Sequence, residues 1–99
     1  MAETVDEITI EYKEGETLLV KELAKVVLTK GAWTTIIFKY QEWDAKKECY
    51  GEIKYSIRRY QKRNGEYRAK SKFNITNTEQ AKKIINILQA WVEPEDSPE

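Results

Sequence analysis

The chain has 99 residues, with seventeen lysines and arginines balanced by seventeen aspartates and glutamates, no histidine and one cysteine. That length makes a single domain whose core is too small for a generous stability margin, so dimerisation would help to bury surface. Without histidine, His/Cys zinc centres and His-based triads are excluded, and Cys49 has no partner for an internal disulfide.

Met1–Glu7 reads as a frayed acidic end, unlike a signal peptide, and no apolar run is long enough to span a bilayer. An intracellular, cytoplasmic location is expected, with nucleoid association if the source is bacterial. Ile8, Ile10 and Tyr12 alternate as in a strand, and Glu14-Gly15-Glu16 reads as a turn. Thr17–Lys30 fits two patterns. Leu19, Leu23, Val26 and Val27 make a helical stripe, while Val20, Ala24, Val26 and Leu28 make a strand face. The β-branched run and the Lys30-Gly31 turn favour a strand in its second half.

Trp33–Trp43 is rich in aromatic and β-branched residues and reads as a strand. It carries Ile36, Phe38 and Tyr40 on one face, with Trp33, Thr35, Lys39 and Gln41 on the other. After a polar loop at Asp44–Glu48, one strand is expected from Glu48 through Arg63, with a bulge at Gly51. Thr76–Gln80 carries capping-box chemistry, either Thr76 with Glu79 or Asn77 with Gln80. Ala81, Ile84, Ile85, Leu88 and Val92 then recur at helical spacing, widened by Ile87 and Trp91, until Pro94 ends the helix. So broad a stripe suits two buried surfaces, with Ile84, Ile87, Leu88 and Trp91 as the expected dimer interface. The expected layout is an acidic end at 1–7, a domain at 8–92 and a disordered acidic tail at 93–99.

The balanced charge is unevenly spread. Residues 1–45 hold five Lys/Arg against nine Asp/Glu, residues 46–72 ten against three, and residues 73–99 two against five. The basic middle block is the electrostatic footprint of a polyanion ligand, set against the plainer reading of a solvated charged face. Within it, Ile53–Ile75 reads as a hairpin around Asn64-Gly65, a pair that supplies the positive φ angles of a tight turn. Lys54, Arg58, Tyr60 and Lys62 share one face of its first strand, opposite Ile53, Tyr55 and Ile57. On the return strand Arg68, Lys70 and Lys72 oppose Phe73 and Ile75. A three-residue loop, Asn64-Gly65-Glu66, would pair Ile57 with Phe73 and Tyr55 with Ile75 in the core. It also sets Arg58 against Lys72, Tyr60 against Lys70 and Lys62 against Arg68. Facing cations cost stability, so the arrangement points to an anionic ligand.

The order strand, strand, hairpin, helix resembles the positive cofactor four family, which includes a eukaryotic transcriptional coactivator and bacterial and phage single-stranded DNA-binding proteins. The resemblance is sharpest at Ile57-Arg58-Arg59-Tyr60, similar to the family's Ile-Arg-x-Tyr strand. It extends through Gly65-Glu66, Lys70–Ile75 and Asn77–Gln80, with Lys30–Trp33 similar to the bacterial members. It covers about Val20 to Val92, with some twenty-five residues carrying its specific part. Lys72 stands where the family has a glycine, and Gln61 where an aromatic often follows the tyrosine. The resemblance implies a homodimer of curved antiparallel sheets that bind unpaired DNA, helices packed at the dimer interface, and Arg58 on a phosphate or base.

The expected fold is therefore α+β: a curved antiparallel sheet of four to five strands and one C-terminal helix, in a homodimer. The expected function is non-sequence-specific single-stranded DNA binding by a transcription coactivator-like domain, without cofactor, metal or catalysis. Its site residues are Trp33, Lys39, Lys54, Arg58, Tyr60, Lys62, Arg68, Lys70 and Lys72, with Tyr60, Trp33 or Tyr67 as the stacking aromatic. Single-stranded RNA binding, or a protein-interaction module whose basic face meets an acidic partner, are the alternatives. Transcription or replication proteins would be further partners, and the tail at Glu93–Glu99 would compete for the basic face. No phosphate-binding glycine loop, metal-ligand cluster or nucleophile–base pair supports an enzyme.

Overall fold

The computed structural model describes residues 4–96, with side chains for residues 4–93. The chain forms a curled antiparallel sheet followed by one helix. Its strands are β1 (Tyr12–Glu14), β2 (Thr17–Thr29), β3 (Trp33–Asp44), β4 (Cys49–Tyr50), β5 (Lys54–Arg63) and β6 (Glu66–Ile75), and α1 spans Thr78–Asp96. Sheet order is β1-β2-β3-β5-β6, with the short β4 paired to the end of β3. The α+β expectation is met.

Of Thr17–Lys30, Thr17–Thr29 proves to be strand, and its ambiguous pattern has a cause. Two register shifts, at Glu22/Ala24 and Val27/Thr29, leave Leu23 and Leu28 as extra residues. Each bulge resets which side chains face inward and strengthens the local twist. Val20 and Glu22 lie inward before the first shift, and Lys25 and Val27 after it, so a strict two-residue period never builds up in the sequence.

The core lies on the inner face of the sheet. Ile36 and Phe38 of β3 are fully buried, and Tyr40 and Tyr60 join them. Ile8 and Ile10 close this core from above, with Val5, Val20, Val27 and Tyr67 packed around it. The expected Ile8–Tyr12 strand is corrected accordingly: Ile8 and Ile10 are buried but unpaired, and the strand begins at Tyr12. Val5–Glu7, expected to fray, forms one 3-10 turn. Residues 1–3 lie outside the described residues, as do the side chains from 94 onward, so the expected competition by the tail does too.

One lysine holds this N-terminal arm. Lys25 Nζ donates to the carbonyls of Val5 at 2.8 Å, Asp6 at 3.2 Å and Ile8 at 2.6 Å. Three acceptors match the three hydrogens of an ammonium, and such charge-assisted bonds are stronger than neutral ones. Lys25→Met, which keeps most of the aliphatic stem, is expected to cost about 2 kcal/mol in urea unfolding. A change below about 0.5 kcal/mol would mean the arm is held by Ile8 and Ile10 alone.

Two further expectations change. The long strand from Glu48 breaks at Gly51–Ile53 into β4 and β5, and Gln41 Nε2 donates to the Gly51 carbonyl at 3.0 Å across the break. The helix runs through Pro94 to Asp96. At its start Asn77 Oδ1 accepts the Gln80 amide at 2.7 Å, while Gln80 Oε1 reaches back to the Thr76 amide at 3.0 Å. The second capping-box pairing is thus adopted, displaced by one residue on its return leg.

Candidate nucleic-acid interface

The β5–β6 hairpin turns at Asn64 (φ 53°) and Gly65 (φ 80°), both left-handed, as a two-residue hairpin turn requires. Near the turn the register is that of the two-residue loop: Arg63 faces Glu66, Lys62 faces Tyr67 and Gln61 faces Arg68. A shift at Arg59/Tyr60 then leaves Lys70 as an extra residue on β6. Beyond it Arg58 faces Lys72, Ile57 faces Phe73 and Tyr55 faces Ile75. The expected three-residue loop is therefore wrong at the turn, although its pairs beyond the bulge are present. The sequence pattern correctly required a one-residue offset, and the chain places it at Lys70.

This bulge divides the expected site between two faces. Lys54, Arg58, Tyr60, Lys62 and Lys72 have inner-face register, whereas Trp33, Lys39 and Arg68 lie on the outer face. Arg68 changes sides because the bulge reverses the parity of β6 between Lys72 and the turn. Tyr60 is only 7% exposed and belongs to the core, so it is not free to stack on a base. Sequence reasoning buried Ile57 and Phe73 instead, yet Phe73 is 54% exposed. Pairing explains the reversal: β3 sets Ile36 against Arg58, Phe38 against Ser56 and Thr34 against Tyr60. The core face of β5 is consequently the one carrying the cations.

Arg58 is held in place. Its Nε donates to Ser56 Oγ at 3.0 Å, and that hydroxyl donates to Asn74 Oδ1 at 2.7 Å. Ser56 is fully buried, so this chain of bonds satisfies the polar groups of the cation's base. Across the pair from Arg58 stands exposed Lys72, and among the described residues neither has an ion-pair partner. From Ile53 to Ile75 there are eight lysines and arginines and one acid, Glu66. Among the described residues only Lys54, with Glu42 at 2.6 Å, and Arg68, with Glu66 at 3.6 Å, are ion-paired there.

Arg59 was not singled out from sequence. Its guanidinium lies 4.5 Å from the centroid of the Trp33 ring on the outer face, and Trp33 is 42% exposed. The sequence signal was the Ile-Arg-x-Tyr spacing, which drew attention to Arg58 and hid its neighbour. Only the pairing of β3 with β5 brings Trp33 and Arg59 together.

Three groups have raised pKa values. Tyr60 is raised chiefly by burial, with nearby Arg58 pulling it partly back. Burial, then Glu42, raises Tyr40, and the hydrogen bond to Glu42 raises Lys54. Each holds its proton more tightly when folded than unfolded. Stability from these groups is therefore intact below about pH 10 and is lost as pH rises through the folded-state values. A melting temperature that is level from neutrality to about pH 9 and falls above about pH 10 is expected in a thermal-unfolding series. A rise above pH 10 would contradict these shifts.

Among the described residues no cluster of His, Cys, Asp or Glu could hold a metal ion, and no helix is long and apolar enough to cross a membrane. Fold and site together describe an α+β domain with a cationic hairpin, most of whose cations have no ion-pair partner among the described residues. No protein-family description, curated protein or solved structure matches the chain.

Proposed function

We propose that this protein binds single-stranded nucleic acid, with DNA favoured, without sequence specificity and as a homodimer. The observation that carries this reading is the hairpin on which Arg58 faces Lys72 and six of eight cations have no ion-pair partner among the described residues. Such an array costs folding energy and is offset by phosphates, whose counterions are released on binding. An exposed Trp33 beside Arg59 adds a stacking surface that suits unpaired bases, since a duplex hides its base faces. The resemblance to positive cofactor four proteins, carried by Ile57–Tyr60, points the same way and suggests a transcription or replication role.

The test is fluorescence anisotropy with a labelled single strand, its duplex and the matching RNA. The single DNA strand is expected to bind most tightly. Equal or tighter duplex binding would contradict the reading. Because the chain has no histidine, affinity should be level between about pH 6 and 8.

Dimerisation is supported by apolar surface. On α1, Ile84 is half-buried, but Ile85, Ile87, Leu88, Trp91 and Val92 are exposed, Trp91 by 70%. The outer sheet face also carries one row across four strands, Val26, Ile37, Ile57 and Phe73, in direct pairing. A second copy would cover both. Sedimentation should find a dimer that Leu88→Glu with Trp91→Glu converts to a folded monomer; a wild-type monomer would contradict this part of the proposal.

A further inference from the structure

A second cationic feature lies between the arm and the hairpin. Three segments distant in sequence converge on one cleft of about 350 Å³: Thr4, Val5 and Asp6 from the arm, Lys30 from the β2–β3 turn, and Lys62 with Tyr67 from the hairpin. That volume is at the small end for ligand sites. Its walls are fixed. Lys25 pins the arm through the three carbonyl bonds, and the Lys62 amide donates to the Ala32 carbonyl at 2.8 Å, tying hairpin to turn.

The chemistry inside is mixed in a particular way. Lys62 Nζ stands 5.6 Å from the Tyr67 ring centroid, so an ammonium and an aromatic surface are neighbours, as phosphate and base are in a nucleotide. Lys30 and Lys62 have no ion-pair partner among the described residues, although Asp6 lines the same cleft. A carboxylate there accepts from a base amino group or sugar hydroxyl, and it opposes any ligand with several phosphates. A second cleft, of about 550 Å³, is unsuited to such a ligand: Glu42, Asp44 and Glu52 line it, and its Lys54 is paired with Glu42.

We infer that the arm–hairpin cleft is a subsite for one nucleoside monophosphate unit. The base lies on Tyr67, the phosphate is held between Lys30 and Lys62, and Asp6 accepts from the base or sugar. This deepens the strand-binding reading and rests on it for the source of the nucleotide: the cleft would seat one residue of the strand, at its end or along its course. The arm is then part of the binding surface as well as a lid on the core.

The experiment is an NMR titration of the full chain with deoxyadenosine monophosphate, deoxyadenosine, inorganic phosphate and a 5′-phosphorylated oligonucleotide. The monophosphate is expected to shift the amides of Val5, Lys30, Lys62 and Tyr67. Deoxyadenosine or phosphate alone should do so at least about tenfold more weakly, because each supplies half of the contacts. Lys30→Glu, an exposed turn substitution, should weaken the monophosphate by about tenfold with the fold intact. Tyr67→Leu, which keeps the packing bulk, should lose the preference for nucleotide over phosphate. Asp6→Asn should improve nucleoside diphosphate relative to monophosphate. Absence of shifts at millimolar nucleotide, shifts centred elsewhere, or phosphate alone matching the nucleotide would overturn the subsite. Normal oligonucleotide binding without mononucleotide binding refutes the cleft alone. Mononucleotide binding without oligonucleotide binding supports the cleft and refutes the strand reading. An oligonucleotide that shifts the cleft amides only when 5′-phosphorylated assigns it to the strand end.

Discussion

Arg58→Glu is expected to lower affinity for a single-stranded oligonucleotide by about a hundredfold at low salt. The substitution removes one charge-assisted contact and sets a carboxylate where a phosphate would lie. It also places an acid opposite Lys72, so the neighbouring cation is neutralised in cis. The two effects add, which is why reversal should exceed simple removal. Arg58 also donates to Ser56, so the variant's own stability must be measured by thermal unfolding. Lys72→Glu supplies the companion: it is exposed, and should weaken binding in the same direction without lowering the melting temperature, because its carboxylate replaces a like-charge pair with Arg58 by an attractive one. Retained affinity in both variants would remove the hairpin from the site.

The second large effect concerns the fold. Phe38→Ala should destabilise the domain by about 3–5 kcal/mol in denaturant unfolding. Phe38 is fully buried at the centre of the inner face, between Lys25 on β2 and Ser56 on β5, beneath a layer formed by Ile8 and Ile10. Removing the ring leaves a cavity beneath Ile8 and Ile10 in a core held by hydrogen-bonded strands, and partial relaxation around such a cavity is what makes the loss large. For a chain of 99 residues that loss is a large share of total stability. The corresponding change on the outer face, Phe73→Ala, should cost far less in a folded monomer, since that ring is half in solvent. Equal costs would mean the core had been placed on the wrong face.

Much of the architecture was legible because local chemistry agreed with it. Asn64-Gly65 announced a hairpin, Trp33–Trp43 a strand, and Thr76–Gln80 a helix start, and all three are present. What could not be read was parity. Bulges at Leu23, Leu28 and Lys70 each reverse which residues face inward, and no residue type marks them. The split of the candidate site follows from the Lys70 bulge, and the burial of Tyr60 from the β3–β5 register, which is a long-range property. A strand's alternating pattern names two faces without saying which is the core. On β5 the more polar face was the buried one, made tolerable by Ser56, Asn74 and Arg58 satisfying one another. The role of Lys25 was equally hidden, because its acceptors are backbone carbonyls about twenty residues away in sequence.

The most direct test of the central claim is the salt dependence of single-strand binding by the unmodified protein. Each phosphate neutralised on a single strand contributes a slope of about −0.7 in log K against log salt. Engagement of the unpaired hairpin cations should give a slope of about −3 or steeper, with Arg58→Glu shallower by about two phosphates' worth, one for Arg58 and one for the neutralised Lys72. A slope near zero, or one unchanged by Arg58→Glu, would contradict the assignment of this hairpin as a nucleic-acid interface.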